Sequence, residues 1–280
     1  MHKPTLASLC CGAGLADLGF AGEPVWAIDS DPLACRAYQM NHGLVPICDS
    51  IDAPWLHDQD SVLPVVDVVL TGPPCQDDSK MGPSGQGGAR SRLKISALAL
   101  ARRLVRPGGM VVMEMVGYRW TEWAQGEGAA VTVLRDSDLG GYTSRERVFA
   151  VWGATPAPLM PIRPVSPGWG AVLPHRPGDV LAYEGNSVNR RWSPALVRRP
   201  DQPAHTVMAG HGTHRIGTSQ KDSRHGTPRE MAVLQGHPGL ILPDATVHDL
   251  QRLVGNGWPA SFGRYWRARW DQQAGIRMAG

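Results

Sequence analysis

At 280 residues, 42% of them hydrophobic, the chain can bury one substantial core plus a small appendage. Its 28 basic and 25 acidic residues leave a formal charge of +3, too small to name a partner by itself. No run approaches the roughly 18 consecutive apolar residues of a membrane span, and Met1-His2-Lys3-Pro4-Thr5 carries no signal-peptide core. Its five cysteines, Cys10, Cys11, Cys35, Cys48 and Cys75, include no Cys-x-x-Cys pair, which argues against a disulfide framework or a metal site and for a reducing, cytoplasmic compartment.

The first unit, Leu6 to Phe20, reads as a short apolar strand, a glycine turn and a helical pattern. Gly12 and Gly14 let the backbone approach a ligand, and the helix start offers free N–H groups to a carboxylate or phosphate. A second strand, Pro24 to Ile28, ends in Asp29-Ser30-Asp31, ahead of a helix from Pro32 to His42. An acid at about this distance beyond a glycine turn is where doubly wound sheets bind a ribose, so a nucleoside-containing cofactor leads; Asp31 also reads as a helix cap. A third unit, Val45 to Cys48, places Asp49 at another strand end.

The apolar, β-branched run Val65 to Leu70 predicts a buried strand ending in Thr71-Gly72-Pro73-Pro74-Cys75-Gln76. Two prolines restrict the backbone and aim the thiol beyond the carboxyl end of a strand, where open α/β sheets bind ligands. A lone cysteine is otherwise most often a small buried hydrophobe, but the polar Gln76 to Lys80 favour a nucleophile here. The glycine-rich stretch Met81 to Arg92 reads as a lid. A helix from Leu93 to Val105 and a strand Met110 to Met113 then bring Glu114 to the same sheet edge, and Arg145 and Arg147 flank the strand Val148 to Trp152. Alternating strands and helices predict a parallel, doubly wound α/β sheet.

From Thr155 to about Pro203 the texture turns to Pro, Gly, Arg and Trp, which reads as a small lobe or elaborated loop. Between Arg163 and Arg224 nine basic residues face four acids, either a phosphate-facing surface or an ordinary solvated one. Trp169 and Trp192 read as packing residues or as bases' stacking partners. Helical patterning resumes at Thr227 to Gln235, and a last helix, Pro259 to Gln272, follows a turn at Val254-Gly255-Asn256-Gly257.

In this order the chain resembles the DNA cytosine-5 methyltransferase family. Cys10 to Leu15 is similar to its glycine-rich first motif, Asp29 and Asp31 to its acidic second and Asp49 to its third. Gly72 to Gln76 resembles the proline–cysteine–glutamine signature, Glu114 with Val116 the Glu-Asn-Val motif, and Arg145-Glu146-Arg147 the arginine pair. Arg229-Glu230 with Leu234-Gln235-Gly236 and Pro238, then Gly255-Asn256 and Pro259, resemble the last two.

The resemblance implies a mostly parallel Rossmann-like methyltransferase sheet over residues 1–154 and 204–280, with a small irregular target-recognition lobe at 155–203. It implies S-adenosyl-L-methionine as cofactor, held by Cys10, Gly12, Gly14, Asp29, Ser30, Asp49, Ser50, Pro73 and Asn256, with Asp29 on the ribose and Asp49 on the adenine amine. Cys75 would add to C6 of an extruded cytosine, Glu114 would engage its N3 side and Arg147 its O2 side, and Arg145 would support them. Gln76, Ser79, Arg90, Arg163, Arg190 and Arg191 would meet double-stranded DNA. A monomer, and a cognate restriction endonuclease as partner, are implied as well.

The chain departs from the pattern at Cys10 (usually aromatic), Ser30 (bulky), Met115 (Asn), Thr143 (Gln) and His237 (Phe), and the short interval from Glu114 to Thr143 predicts a trimmed helix or strand. These departures keep two alternatives open: cytosine-5 methylation of RNA or nucleotides, and a silent nucleic-acid-binding relative.

Overall fold

In a computed structural model describing residues 3–58, 62–74, 89–116, 120–153, 165–184, 196–209 and 213–279, the first half alternates strand and helix. Its elements are β1 (Thr5–Leu9), α1 (Leu15–Phe20), β2 (Glu23–Asp29), α2 (Pro32–His42), β3 (Ile47–Cys48), α3 (Pro54–His57), β4 (Val66–Thr71), α4 (Ala89–Leu104) and β5 (Val105–Met115). There follow α5 (Thr121–Gly126), β6 (Ala130–Arg135), β7 (Glu146–Trp152), β8 (Val180–Glu184), β9 (Val197–Arg198), β10 (Thr213–Gly217) and β11 (Ser223–His225). The chain closes with α6 (Pro228–Leu234), α7 (Val247–Asn256) and α8 (Ala260–Ala279). Among the described residues no helix is long and apolar enough to cross a membrane.

Seven strands form one sheet in the order β3-β2-β1-β4-β5-β7-β6. The first five run parallel, and β7 inserts antiparallel between β5 and β6. Side chains alternate across a strand, so the central strands must be apolar on both faces. In β4 they are: Val69 packs into a core with Leu98, Ala101 and Leu104 of α4, whereas Val68 and Leu70 face Phe262, Trp266 and Trp270 of α8. Phe149 of β7 meets Phe262 and Trp266 at ring-centroid distances of 5.2 and 5.5 Å, each buried ring stabilising the layer by about 2–3 kcal/mol.

Local chemistry sets the helix boundaries. The Asp31 carboxylate accepts from Leu33 N, Pro32 opens α2, and Gly43 ends it at φ 70°. At α6, Thr227 and Glu230 form a reciprocal capping box ahead of Pro228. Gly19 of α1 and Gly263 of α8 meet backbone to backbone: a Cβ on Gly263 would lie 2.4 Å from the Gly19 carbonyl carbon.

Two expectations, the end of the lid and the turn before the last helix, need correction. Ala89 to Arg92, read as the end of a lid, are the first turn of α4. The interval from Glu114 to Thr143 holds a six-residue helix, α5, and a six-residue strand, β6, so the trimmed element is the helix, in line with the expectation. The Val254 to Asn256 turn is the last turn of α7, capped at its start by Thr246. Beside the stretch expected as the recognition lobe, β11-β10-β8-β9 form a four-stranded antiparallel sheet, and two of those strands come from beyond residue 203. Leu181 and Ile216 of this sheet share a core with Leu33 of α2 and Leu253 of α7. Trp169 is fully buried, its Nε1 donating to Arg198 O at 3.1 Å. Trp192 lies outside the described residues.

Two buried histidines give the fold a pH signature. Burial pushes His214 and His237 down to about 4, and their Nε2 atoms meet the carbonyls of His205 and Trp258 at 3.1 and 2.9 Å. A native value below that of the unfolded chain means that the unfolded state binds more protons between pH 6.5 and 4, so this stability is complete above pH 6.5 and disappears as pH falls toward 4. Each histidine contributes at most about 3 kcal/mol. The carboxyls of Asp17, Asp29 and Asp136, raised by burial, act in the opposite direction, so the informative quantity is a difference. Thermal melts of wild type and His237→Phe should diverge below pH 6.5, with wild type losing more stability; parallel curves would reject the assignment.

Candidate active site

The carboxyl ends of β1, β2, β4 and β5 open into a cavity of about 430 Å³, within the range of cofactor sites. One wall is the turn Cys10 to Ala13 with Asp29, Ser30 and Asp31. The floor is Thr71, Gly72, Pro73 and Pro74 beside Glu114 and Val116. The far wall is Val207 to Ala209 and Leu253 to Trp258.

The two glycines of the first turn serve different ends. Gly12 lines the cavity at φ 55° with nothing near its Cβ position, and its N–H donates to Asp29 Oδ2 at 2.8 Å. Gly14 is not in the lining: a Cβ there would lie 2.1 Å from His42 Nε2, so this glycine makes room for a histidine. Cys10, also left-handed at φ 53°, lines the cavity with Cys11. Burial, with Asp29 close by, pushes both thiols up, which makes them poorer nucleophiles than an ordinary cysteine.

Asp29 is held by two backbone donors, Gly12 N on Oδ2 and Asp31 N on Oδ1 at 2.9 Å, and burial raises its carboxyl despite them. Ser30 and Ser50 line the cavity, but Asp49 does not. Its carboxylate accepts from Trp55 Nε1 at 2.9 Å and Ser50 N at 2.7 Å, and these donors hold it below the usual range. Asn256, exposed at the end of α7, does reach the cavity. The Gly255 before it tolerates no side chain, for a Cβ would lie 2.4 Å from Met208 C and Ala209 N.

Glu114 and Arg147 come from neighbouring strands and form an ion pair, Oε1 to Nε at 2.7 Å, with side chains only 9% and 16% exposed. Gly72 lies against this pair, a Cβ on it falling 3.4 Å from Glu114 Oε2. The chain that leads into Cys75 therefore passes beside the carboxylate. Cys75, Gln76, Ser79, Arg163, Arg190 and Arg191, and most of the expected lid, lie outside the described residues; Arg90 is in α4, its side chain likewise outside.

Arg145 is deeply buried and donates through Nη1 to Val207 O at 3.1 Å and Gly255 O at 2.9 Å. It ties the far wall to β7 and so supports the site by position. Thr143 is also fully buried, donating through Oγ1 and N to Asp136 Oδ2 at 2.6 and 2.8 Å, with Ser261 on the other oxygen. Met115 packs into the core beneath α4.

The basic stretch is largely neutralised where it is described. Arg176 pairs with Asp179 and Asp222, Arg199 with Asp201 and Arg224 with Glu230. Sequence reading missed a further pair in the lining, Asp31 Oδ2 with Arg252 Nη1 at 2.7 Å. Arg252 stands four residues before Asn256, a spacing that puts both on one helix face and could have found it.

A mostly parallel sheet opening at its carboxyl edge onto an acid-and-glycine cavity defines a Rossmann-like fold, with a carboxylate–guanidinium pair lining the same cavity. The family model for C-5 cytosine-specific DNA methylase matches residues 5–117, and this part of the chain is similar to that family. Among curated relatives, it is 41% identical over 81 residues to type II methyltransferase M.NgoFVII of Neisseria gonorrhoeae (28% of this chain, 21% of that protein). It is 29% identical over 155 residues to M.AquIA of Picosynechococcus sp. (52% and 61%), and 31% over 216 to M.AgeI of Thalassovita gelatinovora (68% and 48%). The matches thus span less than two thirds of each relative's own length. In fold, it is similar to S. pombe Dnmt2 methyltransferase, with TM-score 0.68, 16% identity and coverage of 96% of this chain and 99% of that one. It is likewise similar to the Entamoeba histolytica methyltransferase EhMeth, with TM-score 0.69, 14% identity and coverage of 97% and 99%.

Proposed function

We propose that this protein methylates C5 of cytosine in double-stranded DNA, using S-adenosyl-L-methionine and a covalent adduct between Cys75 and C6 of an extruded base. The observation that carries the reading is the Glu114–Arg147 pair, 2.7 Å apart, in the same cavity as Asp29 and Gly12. The residues fit the cofactor: Gly12 is open on its Cβ side, Asp29 is a half-buried carboxylate suited to ribose hydroxyls, and Asn256 lines the same cavity. Bound there, S-adenosylmethionine supplies an electrophilic methyl group on sulfur.

Cys75, as thiolate, adds to C6 and makes C5 electron-rich. Glu114 engages N3 and the exocyclic amine, and Arg147, aligned by that carboxylate, holds the O2 side; a forked guanidinium suits this better than lysine. After methyl transfer the C5 proton leaves and the thiolate is expelled, restoring the ring. The base must be extruded, because C6 is covered in a stacked duplex. The type II relatives support a place in restriction and modification; a cognate endonuclease as partner and a monomeric chain are part of the same proposal.

The test is incubation of the full chain with S-adenosylmethionine and unmethylated DNA or RNA, followed by nucleoside mass spectrometry. 5-Methylcytosine should arise in DNA and vanish with Cys75→Ala while cofactor binding persists. Product only in RNA transfers the reading to that substrate, and undiminished transfer by Cys75→Ala rejects the nucleophile.

A further inference from the structure

Asp29 and Asp31 stand two residues apart on the β2–α2 turn and have different partners. Asp29 is held by backbone N–H groups, one of them Asp31's own. Asp31 uses one carboxylate oxygen to cap α2, accepting from Leu33 N at 2.9 Å, and the other to meet Arg252 Nη1 at 2.7 Å. Arg252 belongs to α7, near the opposite end of the chain. Both residues line the cavity.

We propose that the Asp31–Arg252 pair is a latch across the cofactor cavity, and that Arg252 is a positioning residue acting through Asp31. The inference rests on the cavity being the cofactor site. Three observations carry it. The Asp31 N–H donates to Asp29 Oδ1, so any shift of Asp31 turns the carboxylate assigned to the ribose. Arg252 sits on the same face of α7 as Asn256, so the pair fixes the distance between the two ends of the cavity. The side chains are 37% and 26% exposed, against 16% and 9% for Arg147 and Glu114, so water can reach this pair and it can open when ligand enters and leaves. Asp249, 3.9 Å from Arg252 on the same helix, is a weaker alternative partner that would hold the guanidinium nearby in the open state.

The experiment is calorimetric binding of S-adenosylmethionine and of S-adenosylhomocysteine, which lacks the sulfonium charge, to the full chain. Arg252→Met and Asp31→Asn should each weaken both ligands by about 3- to 5-fold, the upper end of what a partly exposed ion pair contributes. Because the latch works by geometry, the losses should be equal for the two ligands; a purely electrostatic effect on the sulfonium would separate them and overturn the proposal. The double variant should bind no more weakly than the worse single one, Arg252→Lys should recover most of the affinity, and turnover at saturating cofactor should change less than about twofold. Asparagine still caps a helix, so Asp31→Asn keeps the start of α2, and thermal melts without ligand check the fold of each variant. Arg252→Met binding within twofold of wild type, or single losses that multiply in the double variant, would overturn the latch while leaving the cofactor reading intact. Failure of wild type to bind either ligand would remove both.

Discussion

Glu114→Gln should lower methyl transfer by about 10²- to 10⁴-fold while leaving S-adenosylmethionine affinity within twofold of wild type. Glutamine keeps the shape of the side chain but can neither carry the charge opposite Arg147 nor shuttle a proton at the pyrimidine ring. The cofactor end is built from other residues, Gly12, Asp29 and Asn256, so binding and chemistry should separate. The change also leaves a largely buried guanidinium facing a neutral amide, which costs about 3 kcal/mol where burial is deep. Single-turnover transfer with labelled cofactor, paired with calorimetry and a thermal melt, measures all three quantities. A rate within threefold of wild type would remove Glu114 from the mechanism, and the Arg147 assignment with it.

Gly263→Ala is expected to destabilise the protein, although alanine is the better helix former. Within a helix the replacement gains about 1 kcal/mol of propensity. Against that, the new Cβ would lie 2.4 Å from the Gly19 carbonyl carbon and 2.5 Å from Phe20 N, both backbone atoms that cannot rotate away. Overpacking of this kind costs about 1–3 kcal/mol and more where backbone must move, so the steric effect wins and the melting temperature should fall by about 2–4 °C. α1 follows directly on the Cys10 to Gly14 turn, so its displacement should weaken cofactor binding too. Gly275→Ala in the same helix is the control, since its Cβ position is open and propensity alone should act, with a small gain. Equal melting shifts for the two substitutions would refute the close approach of α1 and α8.

Much of the fold was legible because its signals are local. The β-branched run ending at Thr71, the Asp31 and Pro32 start of α2, and the Thr227 to Glu230 capping box each act within a few residues, and the elements begin where those residues place them. The second sheet was not legible: β9 and β11 are two and three residues long, too short to show a period, and become strands only by pairing with β8 and β10. Residues at the ends of central strands, such as Asp29, Glu114 and Arg147, were found because a doubly wound sheet sends those ends to one edge.

By itself, then, the sequence determined the alternation of strands and helices, their caps, and which acids and thiols stand at strand ends, since propensity, capping and turn chemistry operate between neighbours in the chain. Only the tertiary structure decided that Arg145 spends its donors on Val207 and Gly255, that Asp49 is committed to Trp55, that Gly14 makes room for His42, and that Asp31 meets Arg252. Each of these depends on which distant segments packing brings within about 3 Å, the range at which a polar group must find a partner on leaving water.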